Sequence, residues 1–186
     1  MQAIQTVTVG SGGAASIEFT AIPATFTDLC LMLSVRSDEG SGSYDPILFR
    51  FNGSTSNYSN RDLNALVGTY ISSGVQTTAA SADATGTWAR TSGVGIPTST
   101  HTANTFGNVS FYIPNYASSN NKSYSIDLVG ENNATQNSLA IAAGLWSDTD
   151  AINEISLALK DGSYVQYSTA TLYGILAGSD GTTTVT

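Results

Sequence analysis

The run Ile155-Ser-Leu-Ala-Leu-Lys160, then Asp161-Gly162-Ser163, then Tyr167-Ser-Thr-Ala-Thr-Leu-Tyr-Gly-Ile-Leu176 decides the fold class. In its first part Ile155, Leu157 and Leu159 alternate with Ser156, Ala158 and Lys160. Successive strand residues face opposite sides, so this is a strand with one buried face. Asp161-Gly162 offers a residue tolerant of positive φ, which predicts a tight hairpin turn. The return strand sets Thr169, Thr171, Tyr173 and Ile175 on one side and Ala170, Leu172, Gly174 and Leu176 on the other. β-preferring residues on both sides predict a central strand covered on both faces. The equally apolar Thr27-Asp-Leu-Cys-Leu-Met-Leu-Ser-Val-Arg36 is its natural neighbour, which would join the two ends of the chain in one core.

Working outward, the same pattern recurs. Ile4 to Val9 alternates, Gly10 to Gly13 is a turn, and Ser16-Ile-Glu-Phe-Thr20 is a second strand with Ile17 and Phe19 inward. Pro23 cannot donate to a ladder and marks a connection. Ser37 to Ser43 is a polar loop. Ile47-Leu-Phe-Arg-Phe51 is a strand closed by the turn signal Asn52-Gly53, and Ser54 to Asn60 reads as loop. Leu63 to Val67 fits either a short helix or a strand. Ser72 to Arg90 is poor in large apolar residues and reads as an exposed excursion, anchored near its end by Trp88. Val109, Phe111 and Ile113 share one face, as do Tyr124, Ile126 and Leu128. Leu139 to Trp146 is a further strand, and Asp148-Thr-Asp150 is expected to open one helical turn. Sustained helical periodicity is lacking, and short strands recur with turn signals between them. The expected fold is an all-β, antiparallel β-sandwich of jelly-roll type. Its divisions are an N-terminal strand or arm (1–14), the sandwich (15–176) and a polar C-terminal tail (177–186). The expected core is Ile17, Phe19, Leu29, Leu31, Leu33, Phe49, Phe111, Ile126, Leu128, Leu157, Leu172 and Tyr173.

The 186 residues suit one domain. Hydrophobic residues make up 41%, enough for a substantial core, while charged residues are only 11% against the usual quarter. The polar surface is therefore Ser, Thr, Asn, Gln and Gly. A net charge of −8 repels phosphate backbones, so nucleic acid is not an expected partner. No apolar run approaches the length that crosses a bilayer, and no membrane partner is expected. Cys30, the single cysteine, lies in an apolar strand and is read as a small buried hydrophobe. Met1-Gln-Ala-Ile-Gln-Thr lacks a basic region and a long apolar run, so it is not read as a signal peptide.

The sequence gives chemistry little footing. His101 stands in Thr98-Ser-Thr-His-Thr-Ala-Asn104, with no nucleophile signature such as G-x-S-x-G, and is read as a solvent-exposed loop residue. One His and one Cys exclude the usual zinc sets. Asp38-Glu39 with Asp45, or Asp148 with Asp150 and Glu154, would supply calcium oxygens, but neither spacing matches an EF-hand, and solvated or capping carboxylates are the favoured reading. Carboxylate pairs for glycoside hydrolysis are assembled in space, not in sequence, and 14 acids alone carry no such claim. There is no P-loop and no dinucleotide fingerprint. Asn52-Gly-Ser54, Asn57-Tyr-Ser59 and Asn133-Ala-Thr135 match the glycosylation pattern but are read as plain loop residues. Tyr44, Tyr58, Tyr70 and Tyr116, in or beside loops, would form a sugar-stacking surface, against the favoured reading of rings packed at sheet edges. The expectation is thus a protein that is not an enzyme, with no catalytic, cofactor-binding or metal-binding residues and no cofactor.

Several segments carry a resemblance. They are Ile17-Glu-Phe-Thr-Ala-Ile-Pro-Ala-Thr-Phe-Thr-Asp-Leu29, Phe51-Asn-Gly53 with Asn57-Tyr-Ser59, Asn108-Val-Ser-Phe-Tyr-Ile-Pro-Asn-Tyr116, Gly144-Leu-Trp-Ser147, Ala151-Ile-Asn-Glu-Ile-Ser-Leu157 and Tyr167-Ser-Thr-Ala-Thr-Leu-Tyr-Gly174. Together, over roughly residues 15 to 176, they resemble a family of β-rich virion proteins of tailed bacteriophages, cyanobacterial and marine ones especially. Such proteins are described as capsid decoration proteins, tail or fibre proteins, or simply structural. The resemblance implies a structural role and carries over no functional residue. The expected function is a capsid decoration, or cement, protein that reinforces the shell from outside, made in the host cytoplasm and residing in the virion. Its expected partners are the major capsid protein and its own copies, as a homotrimer. The alternative is a tail-fibre or adhesin module that binds host surface polysaccharide. A short chain opening with its own Met1 is expected of a separate subunit.

Overall fold

A computed structural model describes residues 1–66, 70–77, 88–91, 94–131 and 137–176, with the side chains of 66 and 70–77 excepted. The described residues form twelve strands: β1 (Gln2–Thr8), β2 (Ser16–Phe19), β3 (Asp28–Val35), β4 (Ile47–Phe51), β5 (Tyr58–Leu66), β6 (Tyr70–Thr77), β7 (Ala89–Arg90), β8 (Gly107–Ile113), β9 (Lys122–Glu131), β10 (Asn137–Trp146), β11 (Ile155–Leu159) and β12 (Thr169–Ile175). They form an antiparallel β-sandwich. The larger sheet runs β1-β12-β3-β8-β9-β10-β5-β6 and the smaller β2-β11-β4-β7. The described residues contain no helix.

The period-two pattern explains the layers. On β9 every second residue from Lys122 to Gly130 is buried and those between are exposed. The inward side chains of β3 (Leu29, Leu31, Leu33), β8 (Val109, Phe111, Ile113) and β9 (Tyr124, Ile126, Leu128) meet Ile17, Phe19, Phe49, Phe51, Ile155 and Leu157 of the smaller sheet in one core. An aromatic junction crosses between the sheets. The Phe49 ring on β4 lies 5.1 Å from Phe111 and 5.2 Å from Tyr124, both at steep angles. Phe51 reaches Trp146 at 5.6 Å, and Trp146 stacks on Tyr58 at 17°. Edge-to-face rings add about 0.5–1.5 kcal/mol per pair beyond the area they bury.

The expected β3–β12 neighbours do pair, with Leu31 opposite Leu172. The expected hairpin does not form. β11 pairs with β2 and β4 in the smaller sheet, whereas β12 lies between β1 and β3 in the larger. Asp161-Gly162 therefore carries the chain from one sheet to the other. Asn52-Gly53 does the same after β4. Its φ angles of 51° and 66° are the two positive values of a tight primed turn, and Ser54 N donates to Phe51 O at 2.8 Å. Asn52 also fixes the loop before β11: its Nδ2 donates to Ala151 O, and its Oδ1 accepts from Asn153 N and Glu154 N.

Other expectations are corrected too. Tyr173 is only half-buried, because it lies on the face of β12 that no second layer covers. Tyr58 to Leu66 is strand throughout, which resolves Leu63 and places Tyr58 inside an element. Part of the expected excursion is strand β6, paired to β5 along its length, and Ala89–Arg90 is β7; residues 78–87 lie outside the described residues. Trp88 does pack, with the Arg50 guanidinium 3.8 Å over its ring. Asp148 opens no helix and instead caps the bend it begins, accepting from Asp150 N. β1 forms one edge of the larger sheet, its register shifting between Ala3 and Gln5, and such irregularities blunt open edges. Residues 177–186 lie outside the described residues.

Leu31 is 1% exposed at the centre of β3. Leu31→Ala is expected to lower unfolding free energy by about 2–5 kcal/mol in chemical denaturation. A loss below about 0.5 kcal/mol, the scale of surface substitutions, would contradict this placement.

Candidate functional site

Polar residues buried in an apolar sandwich need partners, and Arg36, Ser37, Asp45, Thr98 and His101 gather around one loop, residues 37–46. Asp45 is fully buried. Its carboxylate accepts from Ser37 Oγ at 2.7 Å, Asp161 N at 3.1 Å and Gly162 N at 2.9 Å. It thereby ties the loop after β3 to the crossover between β11 and β12. Gly162 is required there, since a Cβ would stand 2.4 Å from Ser37 Oγ. Burial pushes the Asp45 carboxyl above the ordinary range, against the pull of its hydrogen bonds.

The rest of the loop is pinned from behind. Thr98 Oγ1 donates to Gly42 O at 2.5 Å and Thr100 Oγ1 at 3.0 Å. Ser99 donates twice to Glu39 O, from N at 3.0 Å and Oγ at 2.7 Å. His101 is not exposed as expected: it is 5% exposed, and its Nε2 bonds Ser43 O. A carbonyl can only accept, so Nε2 carries the proton. Arg36, also buried, holds the supporting turn by donating to Thr102 O, Thr105 O and His101 O at 2.8–3.1 Å. Local pattern does not signal this burial, because a His in a hydroxyl-rich stretch has no periodicity that separates inside from outside.

In front of the pinned loop is a depression of about 320 Å³, walled by Tyr44, Pro46, Arg90, Lys160 and Asp161. Lys160 Nζ meets the Asp161 carboxylate at 2.8 Å, and both remain well exposed. Arg90 lies in the field of Asp62, Asp161 and Asp45, while burial lowers its pKa. So two of the chain's six basic side chains stand here among carboxylates, beside one tyrosine.

The remaining candidates separate. Asp38 Oδ1 accepts from Ser163 N, Glu39 caps Ser41 and Gly42, and Glu154 bonds Ser156 Oγ. These carboxylates act singly, and no group of three His, Cys, Asp or Glu among the described residues is placed to hold a metal. Tyr58 and Tyr116 are core residues, Tyr44 lines the depression, and the side chain of Tyr70 lies outside those described. Cys30 is buried, which raises its thiol pKa.

A second feature is the outer face of the larger sheet. Leu139 stands opposite Val129 on β9 and Ala65 on β5, and Ile141 stands opposite Leu63. Leu63, Val129, Leu139 and Ile141 are 44–55% exposed, and they adjoin across three strands. Elsewhere this face carries Thr6, Thr171, Ser110, Ser125 and Asn108, with Met32 and Tyr112 partly exposed among them. Sequence alternation assigns Leu139 and Ile141 to a strand but does not show that this side is exposed.

No family model matches the chain, and neither a curated protein nor a solved structure matches it.

Asp45→Asn replaces an oxygen that accepts amide hydrogens with a nitrogen that donates, and is expected to cost about 1–3 kcal/mol at neutral pH. A buried carboxyl with a raised pKa binds its proton more readily folded than unfolded. Wild-type stability gains as pH falls from the raised folded value toward the unfolded one, and the non-titrating variant lacks this gain. The stability gap, measured by urea unfolding, is expected to widen as pH falls through that window; a gap that narrows would contradict the assignment.

Proposed function

We propose that the chain is a structural protein of a tailed-phage particle, seated on the outside of the shell as a capsid decoration protein and working there as a homotrimer. The observation that carries this reading is the apolar patch on β9, β10 and β5. Leu63, Val129, Leu139 and Ile141 adjoin on three neighbouring strands and together expose on the order of a few hundred Å² of apolar surface, the scale of the largest and often functional patch on a monomer. A flat sheet face suits a broad, shallow partner such as the wall of a shell. Asp127 opposite Ile141, and the net charge of −8, favour a partner surface that is more basic than this one.

The strand order supports the jelly-roll form of the sandwich. β1 pairs with β12, β2 with β11, β3 with β8 and β4 with β7, each pair nested inside the last. A single long hairpin rolled over two sheets has this order. β5–β6 and β9–β10 are then added strands that widen the larger sheet, and the patch lies on these additions. Three-fold positions between capsomers suit a closed trimer, and three linked weak contacts gain from effective concentration. The resemblance to phage virion proteins points the same way.

The test is the position and copy number of the chain in purified particles. Many copies distributed over the shell are expected; a few copies confined to the tail would overturn the reading in favour of a fibre component. Replacing Leu139 and Ile141 together by Asp is expected to lower shell occupancy about tenfold or more, as loss of a central contact does, with an unchanged thermal transition because both side chains are solvent-exposed.

A further inference from the structure

The depression beside Tyr44 has a mixed chemistry that narrows what it can hold. Arg90 and Lys160 carry donors, the Asp161 carboxylate carries acceptors, and Tyr44 and Pro46 supply apolar wall. Both cations are already compensated: Lys160 pairs with Asp161, and Arg90 lies in the field of Asp62, Asp161 and Asp45. A bound anion would have to displace Asp161 from Lys160, and a bound cation would face two basic groups. A wholly apolar ligand would strip water from Arg90 and Lys160 without replacing it. An uncharged ring carrying several hydroxyls meets none of these costs. Its hydroxyls satisfy donors and acceptors alike, and its less polar face lies against an aromatic.

The site is also built. Gly42 O, Ser43 O and Glu39 O are each held from behind by Thr98, Thr100, His101 and Ser99, and Asp45 fixes the crossover that carries Lys160 and Asp161. A wall rigid before binding loses little freedom on binding. The Lys160–Asp161 pair is exposed, and such pairs are worth little, so both groups can turn to a ligand at small cost. The volume of about 320 Å³ is at the lower end of small-molecule sites.

We propose that this depression binds one neutral sugar unit of a saccharide, with Tyr44 as the wall and Arg90, Lys160 and Asp161 as the polar contacts. The inference is independent of where in a particle the chain sits. It is tested on the intact protein, labelled with nitrogen-15, by titrating the methyl glycosides of glucose, mannose and galactose, with acetate and phosphate as charged controls. Saturable shifts at the amides of Gly42, Ser43, Tyr44 and Asp161 are expected with at least one glycoside. Tyr44→Ala is expected to weaken that binding about tenfold. Asp161→Ala, at an exposed side chain, gives a second reading should Tyr44→Ala not fold, and is expected to weaken it as well. Absence of a saturable shift with all three glycosides, shifts produced by acetate or phosphate alone, or glycoside binding that Asp161→Ala leaves intact would each overturn the proposal.

Discussion

One buried carboxylate joins the polar loop 37–46 to the crossover at 161–162. Asp45 sits where the loop after β3, the start of β4 and the β11–β12 crossover converge, and it takes hydrogens from Ser37 Oγ and two backbone amides. A charge without solvent is unfavourable unless its lone pairs are occupied, so the loop and the crossover must be in place together. A carboxylate also favours the crossover over a hairpin at Asp161-Gly162, because the two amides that would face solvent in a turn are directed at Asp45 instead. The chain can then leave the smaller sheet and enter the larger between β1 and β3.

The apolar half follows from the same two-layer arrangement. Each sheet has one face against the other and one toward solvent, and the aromatic junction from Phe49 to Phe111 and Tyr124 fills the space between them. The smaller sheet has four strands and the larger eight, so the outer face of the larger is broad. Ser, Thr and Asn serve most of it. The outward Leu63, Val129, Leu139 and Ile141 of β5, β9 and β10 form a contiguous exception, and none of the four belongs to the core. That contrast separates a docking face from an ordinary scatter of exposed side chains.

Much of the sandwich was legible in the sequence because period-two alternation is a local signal. Tyr124, Ile126 and Leu128 announce both strand and inward face, and Leu29, Leu31 and Leu33 do the same. Pairing is not local. The short interval between Leu159 and Thr169 suggested a hairpin, yet the partners of β11 are β2 and β4, more than a hundred residues away in sequence. Tyr173 looked like core because a Tyr on an apolar strand reads alike whether or not a layer lies above it. The depression was nearly invisible. Tyr44 is one of several loop tyrosines in the sequence, and the residues around it, among them Asp45, Thr98 and His101, are polar residues in loops, where sequence pattern does not distinguish a buried network from a solvated surface.

Amide hydrogen exchange at Asp161 and Gly162 tests most directly the claim that Asp45 holds the two sheets' crossover. Backbone amides bound to a buried carboxylate open only with the structure around them, so both are expected to exchange as slowly as those of β11. Exchange as fast as an exposed turn, with β11 itself still protected, would contradict the account.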